Sequence, residues 1–194
     1  GETESDALAV YQNALMWAIT GKRAHADKAI HILDSWVASL KKVSGIDGVL
    51  ASGLQGFMFV NGAELLRHTR AGWSEKAAKR CGQWFRDVWD PTIEHYAYFA
   101  NGNWETAALQ TRMAIAVYCN DRQMFEETVR YAVAGAGNGS IPHMIVFPSG
   151  QCQETTRAQH YAQLGIGLLG CVAEVAWNQG VDLYGWGDNR ILRG

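Results

Sequence analysis

The chain has 194 residues, of which 48% are hydrophobic and 19% charged, a globular composition that excludes collagen-like, low-complexity and disordered proteins. The formal net charge of -2 provides no overall basic field, so nucleic acid is disfavoured as a partner, and an acidic polymer would need a local cluster of arginines. No apolar run approaches the length of a membrane span, and the first residues do not resemble a secretory signal peptide.

Apolar residues recur at helical spacing along the first half of the chain, and glycine and proline mark the expected helix ends. The sequence predicts helices over Leu8–Thr20, His25–Lys42, Leu54–Arg70 and Ser74–Asp90. Gly21 ends the first of these, and a glycine-containing loop spans Val43–Gly53. Pro91 is predicted to end the fourth.

The second half of the chain alternates helices with longer loops. Further helices are predicted over Trp104–Cys119, Phe125–Ala134 and Thr155–Asn178. An aromatic-rich loop spans Thr92–Gly102, and a long loop over Gly135–Gln153 contains a short extended piece at Met144–Phe147. Tyr184–Gly194 resembles the start of another element, so we expect the protein to continue past Gly194.

These elements predict an all-α fold that forms a single domain over residues 1–194. Helices joined by alternating short and long connections favour stacked antiparallel pairs, as in an (α/α) toroid or a helical solenoid. No strict repeat is visible, which disfavours TPR, HEAT and ankyrin repeats. The seven predicted helices would leave apolar faces of a toroid uncovered. The toroid in this chain is therefore expected to be incomplete.

Cysteines and aromatic residues leave alternatives open. The four cysteines include no CxxC pair, so a zinc ribbon or thioredoxin-type site is disfavoured, while their disulfide state is not determined by the sequence. Eight tryptophans and seven tyrosines either fill the core or provide platforms for sugar rings.

Polar residues gather in two loops, 101–105 and 149–161. If a helix begins within the second loop, Glu154, Arg157 and Tyr161 fall at i, i+3 and i+7 on one face. Arg157 also lies within a turn of His160, so a guanidinium, an imidazole and a phenol would then converge. The alternative is a helix-end ion pair between Glu154 and Arg157, with Tyr161 in the core.

Four segments of the chain resemble the alginate-lyase-like family of polysaccharide lyases. They read DALAVYQNALMWAITGKRAHADKAIHILDSW, GLQGFMFVNGAELLRH, NGNWETAALQTRMAIAVYCNDRQMFEETV and GQCQETTRAQHYAQLGIGLLGCVAEVAWNQGVDLYGWGDNRIL. One segment alone would be weak, but several in the same order, spread over nearly the whole chain, are fairly specific.

The resemblance implies a substrate with uronic acid units, such as alginate or a glucuronan, cleaved by β-elimination. Such lyases remove the proton on C5 and expel the 4-linked oxygen. They must neutralise the neighbouring carboxylate, because the intermediate otherwise carries two negative charges. The resemblance also implies that no metal or cofactor takes part and that the protein is secreted or periplasmic.

Carried over by resemblance, Asn103 or Asn101 and Arg157 would neutralise the carboxylate, and Tyr161 or His160 would act as base, acid or both. The alternative for Asn103 is an N-cap of the helix that begins at Trp104. The family pattern has His where Tyr161 stands and an acidic residue where Ala158 stands. His160 lies one position earlier, which on a helix is a rotation of about 100°, so the base is open between Tyr161 and His160.

Further substrate-binding residues are predicted, with surface, capping or core positions as their alternatives. They are Gln55, Asn61, Trp104, His143, Gln153 and Glu154. A second chain or a C-terminal segment is expected as the partner that completes the toroid. The competing functions are a glycoside hydrolase that uses Glu105 and Glu154, and a non-catalytic carbohydrate-binding module.

Overall fold

A computed structural model describes residues 1–194, and most of them are helical. The helices are α1 (Glu2–Thr20), α2 (Arg23–Ser39), α3 (Gly48–His68), α4 (Glu75–Trp84), α5 (Asp90–Ile93), α6 (Gly102–Tyr118), α7 (Arg122–Ala134), α8 (Ile141–Met144), α9 (Gln159–Asn178) and α10 (Trp186–Arg193). A π-helical segment, Phe85–Trp89, joins α4 to α5. Strands β1 (Ile145–Val146) and β2 (Gln151–Cys152) form a small antiparallel hairpin. The predicted all-α class is confirmed.

Helices α1, α3, α6 and α9 pack side by side in that order, and α2, α4 and α7 return the chain between them. Small residues allow this close packing. A methyl group at Gly62 of α3 would lie 2.7 Å from the Val10 side chain of α1, and one at Gly53 would lie 2.5 Å from the Ala107 backbone of α6. Neighbouring helices of one layer with return helices beside them form the series of helical hairpins that an (α/α) toroid repeats.

An aromatic cluster forms the centre of the core. The Phe59 ring lies 6.1, 5.7 and 5.6 Å from the rings of Trp36, Trp84 and Trp89, respectively. The Trp84 indole N–H donates to the Leu40 carbonyl at 3.0 Å, so its polar edge is satisfied inside the protein. Core packing is therefore the role of these tryptophans.

All four cysteines are free. Burial raises the pKa of the Cys81 thiol, and nearby Asp34 adds to the effect. Burial likewise raises the pKa of Cys119. These thiols therefore stay protonated and act as small apolar groups in the core.

Several predicted boundaries in the first half of the chain are wrong. Helix α1 begins at Glu2, six residues before the predicted start at Leu8, and α2 ends at Ser39 and not at Lys42. Helix α3 begins at Gly48, inside the predicted loop. The prediction missed this start because the first turns contain small residues that pack closely on α6 and show no apolar periodicity. Pro91 does not end its helix, since α5 continues to Ile93. Pro91 lies in the first turn of α5, after the π-helical segment, where its missing N–H costs little.

The start of α9 also differs from its prediction. Residues Thr155–Arg157 form turns, in which the Arg157 N–H donates to the Glu154 carbonyl, and the helix begins at Gln159. The predicted extended piece is confirmed in part by β1. The predicted C-terminal element is the short α10, which contains a left-handed turn at Gly187–Asn189.

Helix α3 is long and apolar enough to cross a membrane by length and composition. This corrects the expectation that no stretch reaches that length. Helix α3 lies between α1 and α6 and buries Phe59, Val60 and Leu66, as the core helix of a globular domain does.

Candidate active site

The amino-terminal end of α6 is held by side chains from the segment that precedes α9. The Gly102 N–H donates to Oε1 of Gln153, and the Asn103 N–H donates to Oε1 of Glu154, each at 3.0 Å. These acceptors satisfy two amide groups that a helix end leaves free, and the Glu154 carboxylate faces the positive end of the helix dipole. Asn101 occupies the N-cap position, so the alternative that Asn103 caps the helix is wrong.

Glu154 connects this helix end to Arg157. Its Oε1 also accepts from Nδ2 of Asn103 at 2.6 Å, and its Oε2 accepts from Nη1 of Arg157 at 2.7 Å. The Glu154 side chain is completely buried, and these donors offset the cost of removing its charge from water. Asn103 is also buried, so both residues lie behind the solvent-exposed groups of the site.

Arg157, Tyr161 and His160 form a stack at the start of α9. The Arg157 guanidinium carbon lies 3.7 Å from the centre of the Tyr161 ring, and the Tyr161 and His160 rings lie 4.0 Å apart. Arg157 and His160 are exposed, whereas Tyr161 is half-buried. The predicted convergence of guanidinium, phenol and imidazole is therefore present. It arises from a turn followed by one helical turn, and not from the face of a continuous helix.

A second buried carboxylate, Glu105, lies in the first turns of α6. One of its oxygens accepts from the Tyr131 hydroxyl, and the other accepts from the Gly139 N–H at 2.5 Å. The Tyr131 ring stacks on Tyr96 with the ring centres 3.7 Å apart. Burial and then the hydrogen bond to Glu105 raise the pKa of Tyr131. Glu105 thereby fixes the loop between α7 and α8.

His143 lies just beyond that loop, and its ring is exposed and oriented. Its Nδ1 lies 3.0 Å from the Gly137 carbonyl oxygen and 3.1 Å from the Ser140 hydroxyl. A carbonyl oxygen only accepts, so the contact with Gly137 favours the tautomer with the proton on Nδ1. The Nε2 atom then faces solvent as an acceptor.

Aromatic rings also lie beside the exposed Asn101. Tyr98 and Phe99 are exposed, with their ring centres 5.9 Å apart. The ring centre of Phe99 lies 6.4 Å from that of the half-buried Trp104. These rings form an open apolar surface. Tyr96, by contrast, is buried against α7.

Arginines border a cavity at each end of α6. An open cavity of about 900 Å³ contains Arg157 and Glu154 in its wall, together with residues of β2 and α9. At the opposite end of α6, a cavity of about 530 Å³ is bordered by Arg67 and Arg86. Arg67 donates to the Tyr118 carbonyl, and Arg86 is paired with a carboxylate. Arg157 is likewise paired with Glu154, so the first cavity is distinguished by its position beside the stack of Arg157, Tyr161 and His160.

One predicted binding residue, Asn61, lies away from this end. Asn61 borders a different, largely apolar cavity of about 610 Å³, and its amide donates to the Phe57 carbonyl. It lies eight residues beyond Gly53 in α3, which is about 12 Å along the helix axis. Gln55 is half-buried in the first half of α3. The structure does not bring Asn61 together with Arg157.

A comparison with known protein families identifies the family of the chain. The family model described as alginate lyase matches residues 1–193, essentially the whole chain. No curated protein matches the chain.

Proposed function

We propose that this chain, which belongs to the alginate lyase family of polysaccharide lyases, cleaves a uronic-acid polymer such as alginate or a glucuronan by β-elimination. The proposed site is the amino-terminal end of α6 together with the start of α9. The observation that carries this proposal is the exposed Arg157 guanidinium, which is fixed by Glu154 on one side and stacked on the Tyr161 phenol on the other.

Arg157 is the group that neutralises the substrate carboxylate. Removal of the C5 proton beside an ionised carboxylate generates a second negative charge, which a fixed cation stabilises more in the transition state than in the ground state. A guanidinium has five N–H donors, and only Nη1 is engaged by Glu154. The remaining donors are available for a two-point contact with the carboxylate.

Tyr161 is the proposed base and acid, with His160 as the alternative base. The Tyr161 hydroxyl makes no hydrogen bond within the protein, so it is free to meet a substrate. The base takes the C5 proton, the electron pair forms the C4–C5 double bond, and the 4-linked oxygen leaves with a proton from the acid. No metal or cofactor is required for these steps.

Asn101, Asn103 and the aromatic surface complete the proposed subsites. Asn101 is exposed and its side chain makes no capping bond, so its amide is free to bind the carboxylate. The buried Asn103 supports the site through Glu154. Trp104, with Tyr98, offers apolar faces to sugar rings, and His143, through Nε2, adds an oriented acceptor.

An absorbance assay with a panel of polyuronates tests this function, because elimination creates a conjugated chromophore. The wild-type chain is expected to increase ultraviolet absorbance on at least one polymer, and Arg157→Ala is expected to slow the increase by about a hundredfold. Glu127→Gln, on α7, is a control that should retain activity. A folded wild-type chain that leaves every polyuronate unchanged would contradict the proposal.

The hydrolase alternative has less support. Glu105 and Glu154 are both completely buried, and both oxygens of each carboxylate accept hydrogen bonds from the protein. A glycosidase needs one carboxylic acid at the glycosidic oxygen and a second carboxylate at the sugar or at a water molecule. Neither glutamate is accessible to a polymer in this conformation.

The partner and location proposals follow from the same function. An acidic polysaccharide is the proposed partner, and a polymer of this kind outside the cell is consistent with a secreted or periplasmic protein. Helix α1 exposes several apolar side chains, namely Leu8, Leu15, Met16 and Ile19. Further helices, from this chain or a second one, would cover them and complete the toroid.

A further inference from the structure

The Glu154 carboxylate lies where the α6 end and the Arg157 turn meet, and it contacts no solvent. We propose that Glu154 is a positioning residue, whose buried charge fixes the Arg157 guanidinium on the Tyr161 ring. This role rests on the proposed elimination and differs from direct substrate binding, which the sequence predicted for Glu154. Both carboxylate oxygens are used inside the protein, so Glu154 acts on the substrate only through Arg157.

The carboxylate itself is held on the side away from Arg157. Oε1 accepts from the backbone and side chain of Asn103, at 3.0 and 2.6 Å, and thereby belongs to the rigid end of α6. Oε2 is left for Arg157 at 2.7 Å. Glu154 therefore holds the guanidinium in a fixed position relative to α6, although Arg157 itself lies in an exposed turn between β2 and α9.

Arg157 has no other anchor of comparable strength. It forms no second ion pair, and its remaining protein contact is the face of the Tyr161 ring. A long side chain on an exposed turn has many rotamers, and fixing them before substrate binds removes an entropic cost. A misplacement of about 1 Å at a catalytic group lowers the rate by about a hundredfold.

Gln153 provides a matched control at the same helix end. Its Oε1 accepts from the Gly102 N–H at 3.0 Å, as Glu154 accepts from Asn103. Gln153 makes no hydrogen bond with Arg157. Loss of Gln153 therefore weakens the α6 end without releasing the guanidinium, which separates helix capping from positioning.

The test is a double-mutant cycle on polyuronate elimination with Glu154→Gln, Arg157→Ala and the double variant. Glutamine keeps the size of residue 154 and an acceptor for Asn103, but it lacks the charge for Arg157. Glu154→Gln is expected to lower kcat/KM by roughly tenfold to a hundredfold, mainly through kcat. In the Arg157→Ala background the same change is expected to have almost no further effect. Gln153→Ala is expected to change kcat/KM by the same factor in the wild-type and Arg157→Ala backgrounds, because Gln153 makes no hydrogen bond with Arg157.

Either of two results would overturn the positioning role. The first is a wild-type kcat/KM in Glu154→Gln. The second is a double variant whose loss of kcat/KM equals the product of the losses in Glu154→Gln and Arg157→Ala. Melting curves are recorded for every variant. If Glu154→Gln does not fold, Glu154→Asp keeps the charge at the α6 end but draws it back from Arg157, and it is expected to show the same dependence on Arg157.

A side-chain NMR measurement distinguishes this role from the elimination itself. The Arg157 Nε–H signal, assigned by its loss in Arg157→Ala, is expected to report a rigid side chain in the wild type and in Gln153→Ala, and a mobile one in Glu154→Gln. An unchanged, rigid signal in Glu154→Gln would overturn the positioning role. A folded wild-type chain that is inactive on all polyuronates would instead overturn the proposed function, while the NMR result still decides whether Glu154 holds Arg157.

Discussion

Two buried glutamates lie near the start of α6, and they differ in what they hold. Glu105 binds a phenol and a backbone amide, Tyr131 and Gly139, which both belong to the inner framework. Glu154 binds Asn103 on its inner side and the exposed Arg157 on its outer side. Both carboxylates are completely buried, so burial alone does not reveal which one serves the chemistry.

The difference lies in the exposure of the partner. A buried charge whose partners are all internal contributes to stability and loop geometry. A buried charge whose partner reaches solvent also determines where that partner's charge is presented. We therefore expect changes around Glu154 and Arg157 to affect mainly activity, and changes around Glu105 and Tyr131 to affect mainly stability.

The largest expected effect is on the reactive side of this comparison. Tyr161→Phe removes the hydroxyl proposed to move the protons and should lower kcat on the order of a thousandfold. The melting temperature should change little, because this hydroxyl makes no hydrogen bond within the protein. Steady-state kinetics and thermal unfolding measure both quantities. Retained activity in Tyr161→Phe, with loss in His160→Ala, would assign the base to His160 instead.

The framework side is tested by Glu105→Gln. Glutamine can accept from the Gly139 N–H and donate to the Tyr131 hydroxyl. Both bonds lose the strength that the carboxylate charge gives them, which costs about 2 kcal/mol in total. Urea unfolding should show this loss, while kcat/KM changes much less than in Tyr161→Phe. Glu126→Gln is the surface control, since Glu126 forms only an exposed pair with Arg122 and such pairs contribute at most about 1 kcal/mol. Lost activity with unchanged stability would place Glu105 in the site.

The two asparagines at the α6 end sharpen the comparison within a few residues. Asn103→Ala removes the 2.6 Å bond to Glu154 and should cost about 1 kcal/mol of folding free energy. Asn101→Ala removes an exposed side chain without a capping bond, so stability should be retained while KM rises. Urea unfolding and initial rates measure the two effects. The opposite pattern would reverse the roles assigned to these residues.

The smallest expected effect is a dependence of stability on alkaline pH. Burial and the hydrogen bond to Glu105 raise the pKa of Tyr131 in the folded protein above its unfolded value of about 10. Its contribution to stability is therefore complete below about pH 10 and is lost as the pH rises further. In Tyr131→Phe the free energy of unfolding should decline less steeply above that pH than in the wild type. Equal slopes in the two proteins would contradict the assigned shift.

The sequence predicted the helices and the reactive cluster for reasons that are local. Apolar spacing predicted α6 and the end of α9 closely, and short spacing linked Glu154, Arg157 and Tyr161. The start of α3 was missed because its glycines pack against α6 and add no apolar side chains to the helical pattern of α3 itself. The roles of Tyr131 and Gly139 around Glu105 were missed for a similar reason, since each lies more than twenty residues from Glu105 in the chain.

The burial of Asn103 and Glu154 could not be predicted from the sequence either. Polar residues in a loop are usually exposed, and only the pairing between the α6 end and the segment before α9 places these two inside. The resemblance to alginate lyases identified the family, which the family model confirms. The identity of the base stays a prediction, because Tyr161 and His160 lie side by side.

The most direct test of the proposed chemistry is to count new reducing ends and new C4–C5 double bonds in the same polyuronate digest. Elimination at the Arg157–Tyr161 site predicts one double bond for each new end. It also predicts that both products fall together in Tyr161→Phe. New reducing ends without any unsaturated product would show hydrolysis and would contradict the account.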